Sequence, residues 1–146
     1  MGKFDFEIDP AFLRSLSKLS DVDKYAPQMV NAAVPILEKR VKAELAKHRR
    51  TGTMIDSVKK TRAKRTKDGA YIATVRPTGV ATQYINSKGE LKERKTPVRN
   101  MEILAHMEYG TKKQAPTPIL TKALNDSKSE CERAMAETFK KETGLK

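Results

Sequence analysis

The chain has 146 residues, a net charge of +12, 38% hydrophobic and 33% charged residues, and no Trp. That length matches one ordinary domain with a modest core of Leu, Ile, Val, Met and Ala, and the single cysteine, Cys131, excludes an intrachain disulfide framework. No run of roughly 18 apolar residues is present to cross a bilayer, and "MGKFDFEIDPAFLRSL" lacks a signal-peptide apolar stretch and has Phe6 where a myristoylation signal favours Ser or Thr, so the expectation is a soluble protein made in the cytoplasm with no membrane partner.

Along the chain, Phe12, Leu13, Leu16 and Leu19 recur at helical intervals and predict a first helix over residues 10–19. After "SDVD" a second, longer helix is predicted from about 25 to 48, with Val30, Ala33, Leu37, Val41 and Leu45 on one stripe. Pro27 suits its first turn, whereas Pro35 removes an internal hydrogen bond and predicts a kink or a division. Gly52 breaks the pattern, and Met54, Ile55 and Val58 predict a short helical step into extended chain.

Charge is concentrated here. Residues 1–38 sum to about −2, whereas residues 39–67 hold twelve Lys or Arg against Glu44 and Asp56. Such a block attracts nucleic acid, an anionic membrane or an acidic protein surface alike, because long-range attraction does not distinguish them. Two extended segments flank "KDG", and Tyr71, Ala73 and Val75 alternate with Ile72 and Thr74 as in a half-buried hairpin strand. Residues 77–97 suit either a long loop or a second hairpin turning at Ser87-Lys88-Gly89.

Val98, Met101 and Ala105, with Leu104 and Met107 nearby, predict a short helix ended by Gly110. Thr117 then offers a capping oxygen and Pro118 a first helical position for a long helix to about residue 142. Its predicted stripe is Leu120, Leu124, Cys131, Met135 and Thr138, flanked by Ala123, Ala134 and Phe139.

None of this marks a catalytic centre or a cofactor site. His48 and His106 lie far apart and one cysteine gives no zinc spacing, so no metal site is expected. No serine sits in a nucleophile turn beside a general base. Cys131 reads as a small buried hydrophobe. "EYGTKKQAPTP" has one glycine and neither a Walker nor a dinucleotide pattern; Thr111, Lys112 and Lys113 could touch an anion but lack a glycine-rich nest. The aromatic residues are scattered, so a stacking platform for single strands is not expected.

"HMEYGTKKQAPTPILTKAL", residues 106–124, resembles a segment of the tail-completion or head–tail joining proteins of long-tailed bacteriophages: an acidic residue, an aromatic, Gly-Thr, a polar loop, then a proline-led helix. The helix from Tyr25, the "TGTMIDSV" step and the basic hairpin follow in the order of that family, so the resemblance covers roughly residues 10–142. The chain departs from the family in having Ile119-Leu120 where an aromatic commonly follows the proline, and Thr117 between Pro116 and Pro118.

The resemblance implies an α+β fold, a small antiparallel sheet with several amphipathic helices packed on it, in a single tail-completion-like domain over residues 1–146 with flexible ends at 1–9 and 143–146. It implies a structural protein of the virion neck, not an enzyme: a homo-oligomeric ring, six copies by analogy, assembled in the host cytoplasm against the head connector and the tail tube or tail terminator proteins. Glu108, Tyr109, Gly110, Thr111, Lys112 and Lys113 are then the interface or joint candidates. Lys60, Arg62, Lys64 and Arg65 are candidates to face DNA in the ring channel, weakly and without sequence preference, or an acidic partner. The alternative is a small basic nucleic-acid-binding protein, which would need a recognition helix or an aromatic-rich sheet.

Overall fold

A computed structural model describes residues 21–48 and 50–144. The helix expected at 10–19 and the flexible segment expected at 1–9 lie outside the described residues, as do residues 145–146. The fold is α+β. Helix α1 (Val22–Ala46) buries Tyr25, Val34, Val41 and Leu45, and Val30, Ala33 and Leu37 of the predicted stripe are half-buried beside them. The helix runs unbroken through Pro27 and Pro35, so Pro35 does not divide it; packing along the buried face outweighs the one backbone bond that each proline removes.

Gly52, at φ 84°, turns the chain into helix α2 (Thr53–Ser57), which leads to strand β1 (Val58–Lys60). Strands β2 (Lys64–Arg65), β3 (Tyr71–Ile72) and β4 (Val75–Pro77) complete an antiparallel ribbon, with β1 paired to β4 and β2 to β3. Between Lys60↔Val75 and Lys64↔Ile72 the first strand carries one extra residue, a bulge at Arg62 and Ala63 opposite Ala73. The amide freed by the bulge is not orphaned, because the Ala63 N–H donates to Asn31 Oδ1 of α1 at 2.8 Å.

Residues 77–97 take the hairpin form. Strands β5 (Val80–Ile85) and β6 (Leu91–Arg99) pair antiparallel around a turn in which Asn86 Oδ1 accepts the N–H groups of Lys88 and Glu90. Their register jumps between Ala81↔Val98 and Gln83↔Glu93, leaving the four residues 94–97 as an irregular bulge opposite Thr82. Val98 is therefore a strand residue, not the first of the next helix: its pairing with Ala81 overrides its helical spacing to Met101. Helix α3 (Asn100–Tyr109) starts after it.

The last helix, α4 (Leu120–Thr143), lies antiparallel to α1. Tyr25 meets the Phe139 ring edge-on at 6.1 Å, the half-buried Cys131 donates its thiol to the Ala33 carbonyl at 3.6 Å, and Lys122 reaches Glu44 at 3.6 Å. The core joins Val41, Leu45, Val58, Leu104, Ile119 and Ala123, covered by Leu37, Met54, Ile55, Val75, Met107 and Leu120. Leu124, expected on the buried stripe, is 55% exposed. The small residues Ala123 and Ser127 take the fully buried positions of that helix instead.

Candidate functional site

The joint between α3 and α4 is built around Glu108. Helix α4 begins at Leu120, with Ile119 at its N-cap and no cap from that side chain, so Thr117 and Pro118 precede the helix and do not start it. The cap comes from α3. Glu108 Oε2 accepts the Ile119 and Leu120 N–H groups at 2.6 and 2.8 Å, and Oε1 accepts the Thr121 N–H at 3.0 Å together with the Thr121 hydroxyl. One carboxylate thus satisfies three of the backbone donors that a helix start leaves open, at the end where the helix dipole favours negative charge. Burial alone pushes the Glu108 carboxyl up; the Thr121 hydroxyl and the three N–H donors outweigh it and hold the group below the ordinary carboxylate value.

Gly110 closes α3 at φ 75° and ψ 178°, a region open essentially to glycine alone. A Cβ there would lie 2.8 Å from the Gln114 carbonyl oxygen and from Pro116 N. The loop returns tightly: Thr111 N–H donates to the Gln114 carbonyl at 2.8 Å, and Thr117 N–H to the Met107 carbonyl at 2.6 Å. Thr111, Lys112 and Lys113 are exposed on this loop. Between the buried Glu108 and the constrained Gly110, the Tyr109 ring is 80% exposed.

The structure separates the four basic ribbon candidates. On β3 and β4, Tyr71, Ala73, Val75 and Pro77 face inward while Ile72, Thr74 and Arg76 face out. The register then puts Lys60 and Arg65 on the inner face. Lys60 pairs with Glu38 at 3.2 Å, and Arg65 pairs with Asp23 at 3.4 Å beside the Tyr71 hydroxyl, which donates to Asp23 at 2.6 Å. Arg62 borders a shallow cleft against Asn31 and Val34 of α1. Of the four, Lys64 stands on the outer face. It is joined there by Lys59 and Arg76, which face one another across the strands and have no ion-pair partner among the described residues. Sequence reasoning missed these two; only the pairing register brings them together.

Exposed apolar side chains gather on the β5–β6 hairpin, where Val80 and Leu91 are each 55% exposed and Tyr84 39%. Among the described residues, no group of three His, Cys, Asp or Glu is placed to hold a metal ion, and no helix is long and apolar enough to cross a membrane. The features that stand out are surfaces.

No curated protein and no solved structure matches the chain. Compared with known families, residues 10–87 match the HK97-gp10-like family, described as "Bacteriophage HK97-gp10, putative tail-component". That match spans the α1 helix, the α2 step, the basic ribbon and β5, over more than half of the sequence, and the chain belongs to the HK97-gp10-like family of bacteriophage tail components.

Proposed function

We propose that this tail component acts as a closed ring at the neck or tail end of the virion, completing the tail and joining it to the head connector. The observation that carries the reading is Tyr109. A large aromatic side chain held 80% exposed on a rigid corner, with Lys112 and Lys113 on the adjoining loop, has the character of an interface anchor. Glu108 and Gly110 act through the backbone they fix, and Tyr109, Lys112 and Lys113 touch the neighbour. The role is structural, and six copies per ring is the closure expected from the family resemblance.

The test is light scattering of the purified chain, alone and with isolated tails, beside Tyr109→Ser. The native chain should form a closed oligomer; Tyr109→Ser should remain folded, assemble poorly and leave heads and tails unjoined. A native chain that stays monomeric at high concentration and on both isolated heads and tails would remove the ring.

A second reading, contact with nucleic acid, is favoured by one observation. Lys59 and Arg76 sit opposite each other on an exposed face, an arrangement that repels unless an anion lies over it. Within a ring this face meets DNA in the channel or an acidic neighbour.

A further inference from the structure

Two surfaces of the chain are incomplete by themselves and match one another. One is the tip of the β5–β6 arm. A two-stranded hairpin is marginal alone, and this one packs on its own ladder and, through β6, on α3. The pairings Ile85↔Leu91 and Gln83↔Glu93 place these four side chains on one face of the tip. On the other face the charges are already engaged, Lys92 with Glu90 at 3.4 Å and Arg94 over the Tyr84 ring at 5.3 Å. Glu93 has no ion-pair partner among the described residues, and Leu91 beside it is 55% exposed.

The other surface is a groove of about 490 Å³ between α1 and α4, lined by Pro35, Ile36, Lys39, Arg40, Ala43 and Glu130. Pro35, Ile36 and Ala43 supply an apolar floor. Lys39 and Arg40 make no ion pair among the described residues, and Glu130 is the one carboxylate in the lining.

We propose that the arm tip of one copy seats in the α1–α4 groove of the next, with Ile85 and Leu91 on Ile36 and Ala43 and Glu93 against Lys39 and Arg40. Apolar surface meets apolar surface and the unpaired carboxylate meets the unpaired cations. The two patches differ, so the contact is heterologous, and repeating it closes a ring when the rotation allows. The proposal rests on the ring reading and names the surfaces that make its joint.

The test is sedimentation of three variants beside the native chain: Glu93→Lys, the pair Lys39→Glu with Arg40→Glu, and all three together. Each reversal alone should raise the concentration at which the chain assembles by about tenfold or more, and the combination should restore assembly. Circular dichroism checks that each variant keeps its helices. If the native chain assembles and either reversal leaves it unaffected, the arm contact is overturned while the ring stands. A folded triple variant that stays apart overturns the arm contact as well. A native chain that is monomeric alone and on isolated heads and tails overturns both readings together.

Discussion

Glu108 Oε2 lies 2.6 Å from the backbone nitrogen of Ile119, so the last turn of α3 holds the first turn of α4 through a single carboxylate. Ile119 is itself 1% exposed in the core. The hydrogen bond and the packed side chain fix the same residue from two sides, and that is what sets the direction in which α4 leaves the corner. Removing the carboxylate strands three backbone donors, one of them buried. Glu108→Ala is expected to cost about 2–4 kcal/mol of stability, read from urea unfolding midpoints. A loss under about 0.5 kcal/mol would show that α4 is held by other means.

The same group makes stability depend on acid. Its folded value lies below the ordinary one, so its contribution is complete above the unfolded carboxylate value of about 4.3 and is lost as pH falls through the lower folded value. Unfolding free energy of the native chain should fall on acidification through that window more steeply than that of Glu108→Gln. Parallel profiles for the two proteins would contradict the assignment.

Two glycines separate backbone strain from crowding. Gly110 and Gly89 have similar φ, 75° and 79°, but a Cβ at Gly89 meets nothing within 4 Å. Gly89→Ala should cost about 1–2 kcal/mol from conformation alone. Gly110→Val adds a clash with the Gln114 and Pro116 backbone and should cost about 3 kcal/mol or more, with heads and tails accumulating unjoined. Equal thermal shifts for the two variants, or normal numbers of joined particles from Gly110→Val, would refute this account of the corner.

The ribbon's two faces should respond differently to loss of charge. Lys60→Gln with Arg65→Gln breaks both ion pairs to α1: the exposed Arg65–Asp23 pair should cost roughly 0–1 kcal/mol, and loss of Lys60 about 1–2 kcal/mol, because its partner oxygen Glu38 Oε2 is buried, with little effect on a bound polyanion. Lys59→Gln with Arg76→Gln relieves repulsion, leaving stability level or slightly higher. If the outer face meets phosphate, the second pair should also lower the salt slope of duplex binding by about 0.9 per charge removed, with no preference among sequences. Gel shifts at several salt concentrations decide the matter. Tight binding of one sequence at physiological salt would favour the nucleic-acid-binding alternative over the neck role.

The helices were readable because their spacing reports burial directly: Val41 and Leu45 fall on the predicted stripe and in the core. Gly110 was readable because its local conformation admits essentially no other residue. The cap of α4 was hidden, since the acceptor sits on a different helix, eleven positions before Ile119, while Thr117 and Pro118 offered a plausible local start. The ribbon's faces were hidden for a related reason. Lys60 and Arg65 are an odd number of residues apart and should point to opposite sides of a regular strand; the bulge at Arg62 and Ala63 restores them to the same side. Lys59 and Arg76 become neighbours only through register, which a single sequence does not print.

That bulge also fixes how the ribbon travels with α1. Asp23, Asn31 and Glu38 form a row of acceptors, spaced roughly two helical turns apart, and take Arg65 with Tyr71, the Ala63 amide, and Lys60 in turn. The ribbon is meshed to the helix like a rack to a gear, and sliding it by one residue disengages all three teeth at once. In native-state hydrogen exchange the Ala63 amide should therefore open together with the middle of α1 as one unit, whereas the β5–β6 tip, beyond its own break in register, opens alone and at lower free energy. That outcome would divide the molecule into a stiff body and a separately opening arm, one that adjusts to a neighbour without loosening the face that carries Lys59 and Arg76.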